Sequence, residues 1–367
     1  MARSWMRHVD RFCHQYLQLE PHLDFPPSEF LKLADVQDAM YTRLFADDAV
    51  QHGPPERYRV RTLKELVSRI EAAIDDWDEH AVSDDLMSTL SVLLCTPLPP
   101  EAAFVQQRCY VTYHLSPPAR EPSLGHDAAA VNQPGITLLE KRSLISAAGT
   151  TGLRTWEAAL HLGQYLCLHP SVVAGKHILE LGAGTGYLSI LCANYLASAH
   201  ATASDGSDHV VSNLADNFFL NRLQGSSRVS PMYLKWGHAL GGTQEEPWNG
   251  GRPVEVVLGA DITYDLSVIP ALVGTLLDLF CLYPGVEVYI SAARRNEQTL
   301  QAFLDACEGN RLDVHDLQFV VPPWDQQDGP FYNEQVVIRI CRVSTVVTES
   351  DSQSIQKNVT DMPGGRT

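Results

Sequence analysis

The sequence predicts an α/β fold in which a seven-stranded, mainly parallel sheet follows a helical N-terminal region. Short β-type runs alternate with helical patterns in the second half of the chain, which is typical of βαβ units. One of these runs leads straight into a glycine-rich turn that opens a helix. The first half instead repeats apolar residues at spacings of three and four, which indicates amphipathic helices. We therefore expect a helical accessory domain over residues 1–130, a sheet domain over 135–343 and a disordered polar tail over 344–367.

The N-terminal region contains three amphipathic stretches. The clearest is TLKELVSRIEAAIDDWDEH, whose expected buried stripe consists of Leu63, Leu66, Ile70, Ile74 and Trp77. The stretches DVQDAMYTRLF and DLMSTLSVLLC have similar stripes, and the second should end at Thr96, because Pro97 follows. This region carries no obvious chemistry, so we expect it either to recognise a substrate or only to buttress the sheet.

Seven β-type runs follow the turn-rich linker SPPAREPSLGHDAAAVNQPG at 116–135. In chain order they are HILELGA, ATASD, VSPMYLKW, VEVVLGAD, VEVYISAA, LDVHDLQFV and EQVVIRICRV. Helices are predicted between most of them, at 186–197, 207–221, 268–282 and 296–307. The last two runs are joined by the helix-free segment PPWDQQDGPFYN, which predicts a closing antiparallel hairpin instead of another crossover.

The composition limits the classes of partner. The chain has 367 residues, and its 27 basic and 44 acidic side chains give a net charge of −17. Such a charge repels nucleic-acid phosphates and acidic lipid surfaces and favours a basic protein surface. We therefore expect a protein partner and no nucleic-acid or membrane partner. Separately, we expect a monomer.

The cysteine pattern indicates a reducing compartment. Eight cysteines are scattered without a C-x-x-C pair, unlike a disulfide framework or a zinc site, so no metal site is expected. Cys192 and Cys281 lie in apolar helical patterns and are expected to be small core residues. The N-terminus is too charged for a signal peptide, and no apolar run approaches the roughly 18 residues of a membrane span. We expect a cytoplasmic protein.

The segment ILELGAGTGYLSILCA at 178–193 carries the strongest signal of a ligand site. Glycine near a helix N-terminus lets a ligand approach free backbone N–H groups. A dinucleotide fingerprint needs G-x-G-x-x-G, whereas the glycines here are at 182, 184 and 186, and Tyr187 follows. Glu180, two residues before Gly182, suits a cationic ligand such as S-adenosyl-L-methionine, which carries an ammonium and a sulfonium. The alternative is a tight turn that holds nothing.

Asp205 ends the second β-type run, 23 residues beyond Gly182. A carboxylate at this point of a nucleoside site usually accepts the two hydroxyl groups of a ribose. The alternative is that Asp205 is a helix N-cap, although Ser207 could occupy that position instead.

The ELGAGTG and ASDG motifs and the seven runs resemble the seven-β-strand S-adenosyl-L-methionine-dependent methyltransferases, which have a Rossmann-like sheet, over residues 135–343. The segments GTTGLRTWEAALHLGQYL, LKWGH and GADITYD resemble the protein-lysine branch. The segment LLCTPLPPEAAFVQQRCYVTYH at 93–114 is similar to the helical extension of the eukaryotic elongation factor 2 lysine methyltransferases. The resemblance implies methyl transfer from S-adenosyl-L-methionine to a lysine of elongation factor 2.

The resemblance also implies roles for matching residues. Trp156 would border the methionine end of the cofactor, and Trp236 would pack on its adenine. Ala260 and Asp261 would line the methyl-transfer pocket, and our hypothesis is that Tyr264 walls the lysine slot. The expected cofactor-binding residues are therefore Trp156, Glu180, Gly182, Ala183, Gly184, Asp205, Trp236 and Ala260, and the expected catalytic residues are Asp261 and Tyr264. Each aromatic residue has packing as its alternative role, and Asp261 has capping of the next turn.

Three rival interpretations stay open. The first is a methyltransferase of another acceptor: a small-molecule enzyme would share every feature up to Asp205 but is disfavoured by the D-x-x-Y match and the large extra region, and another protein acceptor is the remaining possibility. A methyltransferase fold that serves only as a scaffold is disfavoured by the intact Glu180, Asp205 and Asp261. An NAD-dependent oxidoreductase is disfavoured by Tyr187.

Overall fold

The computed structural model describes residues 4–97, 108–116, 134–141, 152–242, 247–295 and 297–346. Most of the predicted linker at 116–135 and of the predicted tail at 344–367 lies outside the described residues. The middle of the segment at 93–114 that carries the family resemblance also lies outside them.

The N-terminal region folds into five described helices with one core. They are α1 (Met6–Leu17), α2 (Ser28–Leu31), α3 (Ala34–Leu44), α4 (Glu56–Ala73) and α5 (Asp84–Cys95). The predicted stripe of α4 is buried at Leu63, Leu66 and Ile70. The prediction for Trp77 was wrong, because this side chain is 61% exposed. Helix α4 ends four residues earlier, and Asp76 Oδ1 accepts the N–H of Asp78 at 2.9 Å, a local turn that competes with helix.

A two-stranded antiparallel ribbon, which the sequence analysis did not include, precedes the main sheet. It consists of β1 (Cys109–His114) and β2 (Gly135–Glu140). Tyr113 packs edge-on against Tyr187 at a centroid distance of 5.6 Å. Glu140, at the end of β2, accepts the N–H of Thr155 at 3.2 Å. The ribbon therefore helps to position the segment that enters the site described below.

The main sheet has the seven predicted strands. They are β3 (His177–Leu181), β4 (His200–Asp205), β5 (Val229–Tyr233), β6 (Val256–Ala260), β7 (Glu287–Ala293), β8 (Leu312–Leu317) and β9 (Ile338–Thr345). Their order is β5-β4-β3-β6-β7-β9-β8. Strands β3 to β7 are parallel, whereas β9 pairs antiparallel with both β7 and β8. The predicted α/β fold with a closing hairpin is confirmed.

Helices cover both faces of the sheet. They are α6 (Glu157–Leu168), α7 (Tyr187–Tyr195), α8 (Asp208–Leu220), α9 (Ile269–Leu282) and α10 (Glu297–Gly309). One buried cluster joins α6 and α7 to the sheet, and a second joins α9 and α10. Cys192 is buried in the first cluster as predicted, whereas the prediction for Cys281 was wrong. Cys281 is exposed because α9 turns Leu276 and Leu279 towards the sheet.

The chain reverses its direction of travel through the sheet at β3. It moves outward from β3 through β4 to β5, then returns to the other side of β3 with β6. In an open α/β sheet, the crevice beyond the carboxyl ends of the strands at such a reversal is the usual ligand site. Within the described part of the chain, no helix is long and apolar enough to cross a membrane.

Candidate active site

A pocket of about 560 Å³ lies at the carboxyl ends of β3, β4 and β6. The structure brings all the residues predicted for the site together in its lining. These are Trp156, Glu180, Gly182, Ala183, Gly184, Asp205, Trp236, Ala260, Asp261 and Tyr264. The pocket therefore coincides with the crevice that the strand order predicts.

The glycine turn forms one wall, and its two glycines in the pocket lining, Gly182 and Gly184, have backbone conformations that favour glycine. Gly182 has φ of +64° and Gly184 has φ of +54°, in the left-handed region that other residues rarely adopt. A Cβ on Gly182 would lie 2.7 Å from Cγ2 of Ile262, and one on Gly184 would lie 3.1 Å from the carbonyl oxygen of Gly152. The turn is thus held between Ile262 beneath it and the chain segment that crosses it at Gly152.

Glu180 is buried at the end of β3, where one side of its carboxylate is already bound. Its Oε2 accepts the N–H of Ser189 at 2.9 Å and also the hydroxyl of Ser189. Burial raises the pKa of Glu180 to about 7, and the two hydrogen bonds from Ser189 limit the rise. The carboxylate is therefore costly to ionise while no cation accompanies it.

Asp205 joins the end of β4 to the glycine turn. Its Oδ2 accepts the N–H of Gly184 at 3.2 Å, and its Oδ1 accepts the N–H of Ser207 at 3.0 Å. Burial raises the pKa of Asp205, and these backbone N–H groups oppose the rise. Helix α8 begins after Ser207, which occupies the N-cap position, so Asp205 lies outside the helix and lines the pocket.

The two tryptophans of the lining have different neighbours. Trp236 follows β5, and its ring would be 3.4 Å from a Cβ on Gly182. Its Nε1 is buried without a hydrogen-bond partner among the described residues. Trp156 immediately precedes α6, and the guanidinium groups of Arg154 and Arg295 lie 5.1 and 4.7 Å from its ring centroid.

Asp261 follows β6 in a left-handed conformation, with φ of +52°. Its Oδ1 accepts the N–H of Ala293 at 2.8 Å, which ties β6 to the end of β7. Its Oδ2 is buried without a hydrogen bond in the described chain and lies 3.8 Å from Nη1 of Arg295. Burial raises the pKa of Asp261, and the Ala293 N–H and the charge of Arg295 oppose the rise.

Tyr264 differs in its exposure from the other residues predicted for the site. Its side chain is 59% exposed, while Ala260 is half-buried. The exposed aromatic ring of Tyr264 therefore lies at the mouth of the pocket.

Sequence analysis missed four charged residues of the pocket region, namely Arg154, Glu157, Lys235 and Arg295. Arg295 follows β7, and its guanidinium pairs with the carboxylate of Glu157 at the start of α6. Arg154 lines the pocket two residues before Trp156. The carboxyl end of β7 was a usable signal for Arg295, because neighbouring parallel strands end at the same edge. No pattern in the sequence pointed to Arg154.

The site and the strand order define a class of protein. A seven-stranded sheet whose last strand is inserted antiparallel, with an acidic strand end leading into a glycine turn, is the architecture of a Rossmann-like methyltransferase.

Comparison with known proteins identifies the family. A family model described as lysine methyltransferase matches residues 139–310. The chain is 55% identical to the protein-lysine N-methyltransferase EFM3 of Chaetomium thermophilum, over 94% of this chain and 99% of that protein. It is 28% identical to the human protein-lysine N-methyltransferase EEF2KMT, over 66% of this chain and 82% of that protein. It is 33% identical to EFM3 of Saccharomyces cerevisiae, over 49% of this chain and 54% of that protein. The chain belongs to this family of protein-lysine N-methyltransferases.

Proposed function

We propose that the pocket binds S-adenosyl-L-methionine and that the protein transfers the methyl group to a lysine of elongation factor 2. One observation carries the cofactor assignment. Three carboxylates, those of Glu180, Asp205 and Asp261, surround one pocket, and burial raises the pKa of each. A cationic ligand lowers the free energy of their ionised forms.

The residues present fit this cofactor. Asp205 offers carboxylate oxygens to a ribose diol, and the glycine turn leaves room for close approach of a ligand. Trp236 offers an aromatic face to the adenine and a buried Nε1 that lacks a partner among the described residues. On the side of β6, Trp156 borders the methionine end, and Ala260 lines the place of methyl transfer.

When bound, the cofactor would supply a sulfonium methyl group for in-line displacement by the acceptor amine, with a neutral thioether as the leaving group. The chain must present the acceptor lysine as a neutral amine, although its usual pKa is about 10.4. An apolar slot walled by Tyr264 lowers that pKa by desolvation and aligns the amine. Asp261, whose Oδ2 lacks a hydrogen bond in the described chain, orients the amine or its neighbouring backbone. The proton leaves to water, and positioning supplies most of the rate.

The assignment of elongation factor 2 rests on the family and on charge. The N-terminal match at 93–114 and the kinship with EEF2KMT favour this substrate. A net charge of −17 favours a protein with a basic surface. In the same proposal, residues 1–130 form an accessory domain that grips the substrate, and the protein acts as a cytoplasmic monomer.

The deciding experiment incubates the purified protein with labelled S-adenosyl-L-methionine and unmethylated elongation factor 2, with mass spectrometry to locate the label. We expect label on one lysine. The variant Asp205→Ala should lose affinity for the cofactor. The variant Asp261→Ala should keep cofactor binding and lose transfer, because the role proposed for its carboxylate is to orient the acceptor.

Other outcomes would separate the rival functions. Tight binding of S-adenosylhomocysteine without label would keep the cofactor and move the search to another acceptor. Label in a small molecule without protein would overturn the protein substrate. The absence of cofactor binding would favour a scaffold, and full transfer by Asp261→Ala would remove the role given to Asp261.

A further inference from the structure

The Trp156 end of the pocket carries two arginines with different surroundings. Arg295 is engaged, because it forms an ion pair with Glu157 and lies 3.8 Å from Oδ2 of Asp261. Arg154 lies against the Trp156 ring at 5.1 Å and has no ion pair or hydrogen bond with any described residue. Its Nε is moreover buried and has no hydrogen-bond partner among the described residues.

An arginine in this state favours an anionic ligand. A buried N–H without an acceptor costs about 1–3 kcal/mol, and a carboxylate satisfies it with charge-assisted hydrogen bonds. The aromatic ring holds the planar guanidinium in one orientation, which suits two parallel bonds to a carboxylate. Arg295 already has two acidic neighbours, so among the described residues at this end Arg154 is the cation available to a ligand.

The strand order fixes which end of the cofactor meets Arg154. Asp205 ends β4, on one side of the central strand β3, and the ribose is proposed to bind there. The segment of Arg154 crosses the glycine turn, since the Thr155 and Thr185 hydroxyl oxygens lie 2.7 Å apart. Trp156, which follows it, reaches Arg295 beyond β7, on the opposite side of β3. The methionine part of the cofactor therefore extends towards Arg154.

We infer that Arg154 binds the α-carboxylate of the methionine end of the cofactor, with Trp156 holding its guanidinium in place. Arg295 has a different role and braces Glu157 and Asp261. This inference rests on the proposed function, because it names the anchor for one group of the proposed cofactor.

Two ligands test the inference by calorimetric titration. S-Adenosylhomocysteine carries the α-carboxylate, whereas methylthioadenosine has the same nucleoside and thioether without the amino acid. The substitution Arg154→Met keeps an unbranched stem against Trp156 and removes the charge. We expect it to weaken S-adenosylhomocysteine binding by about tenfold to a hundredfold and to leave methylthioadenosine binding unchanged. Arg154→Lys, which keeps the charge without the planar fork, should give an intermediate loss.

Lys235 provides the matched control, because it is a basic residue of the same pocket on the β5 side. Any loss in Lys235→Met should be equal for the two ligands. An equal loss in Arg154→Met would mean that Arg154 only shapes the pocket, and it would overturn the assignment. Unchanged binding of both ligands would also overturn it and leave an acidic group of the protein acceptor as the partner of Arg154. If the unaltered protein binds neither ligand, the proposed cofactor itself falls.

Discussion

The raised pKa of Glu180 makes the charge of this carboxyl group depend on pH near neutrality. Its pKa in the folded protein is about 7 because of burial, above the ordinary value of 4.5. A raised carboxyl pKa means that the folded protein holds its proton over this interval while the unfolded chain releases it. The contribution of Glu180 to stability is therefore present below about pH 4.5 and is lost as the pH rises to about 7. A cationic ligand that binds the ionised carboxylate offsets the free-energy cost of ionising it in a buried position.

We therefore predict that affinity for S-adenosyl-L-methionine rises with pH. If only the ionised form of Glu180 binds, affinity should increase about tenfold between pH 6 and pH 8. The control is Glu180→Gln, which keeps an acceptor oxygen for Ser189 and removes the titration. Calorimetric titrations of both proteins across this range cancel the titration of the ligand itself. Parallel pH profiles for the two proteins would contradict the coupling.

The residues of the site differ in how far sequence alone reveals them. Glu180 and Asp205 were found because their chemistry is tied to strand ends and to a glycine turn, which are local patterns. The pairing of Arg295 with Glu157 joins residues 138 positions apart, so no local pattern could predict it. Likewise, the missing partner of Arg154 is visible only when its surroundings are known.

At the scale of elements, a buried glutamine attaches α1 to the connector between β8 and β9. The Gln18 side chain accepts the N–H of Phe331 at 2.9 Å and donates to the Phe331 carbonyl oxygen at 2.5 Å. On the connector itself, the Gln327 side chain likewise accepts the N–H of Tyr332 at 2.9 Å and donates to the Tyr332 carbonyl oxygen at 3.0 Å. Among the described residues, the connector has no neighbouring strand to bind these backbone groups. The two glutamine amides bind them instead, and without the amides the buried N–H and carbonyl groups would lack hydrogen bonds.

We predict that Gln18→Ala destabilises the protein by about 2–4 kcal/mol, because it leaves one buried N–H and one buried carbonyl group without a hydrogen-bond partner. Urea unfolding followed by tryptophan fluorescence would measure the loss. Gln335→Ala is the matched control, since Gln335 is exposed on the same connector. Equal midpoints for the two variants would mean that Gln18 does not hold the connector.

The elements themselves were predicted to different degrees, for physical reasons. The main strands and helices were found because burial on one or both faces requires apolar residues at regular spacing along the sequence. The ribbon was missed because Cys109–His114 pairs with a strand that lies beyond a long linker. Trp77 was misplaced because apolar spacing continues past Ala73, while the turn at Asp76 ends the helix.

At the scale of the whole molecule, charge distinguishes the two ligands of the enzyme. The net charge of −17 acts over the distance from which a protein substrate approaches. The cofactor instead meets a partly enclosed pocket, where buried charges are screened less by salt. Ionic strength should therefore separate the two binding events.

We predict that kcat/KM for the protein acceptor falls on the order of tenfold between about 50 mM and about 300 mM sodium chloride, because screening removes the attraction between an acidic enzyme and a basic substrate. Cofactor affinity, measured by titration over the same range, should change much less. If both quantities fell together, the effect would lie in the pocket. A salt-independent kcat/KM would mean that the acidic surface does not contribute to substrate capture, and apolar contacts of the accessory region would have to supply it.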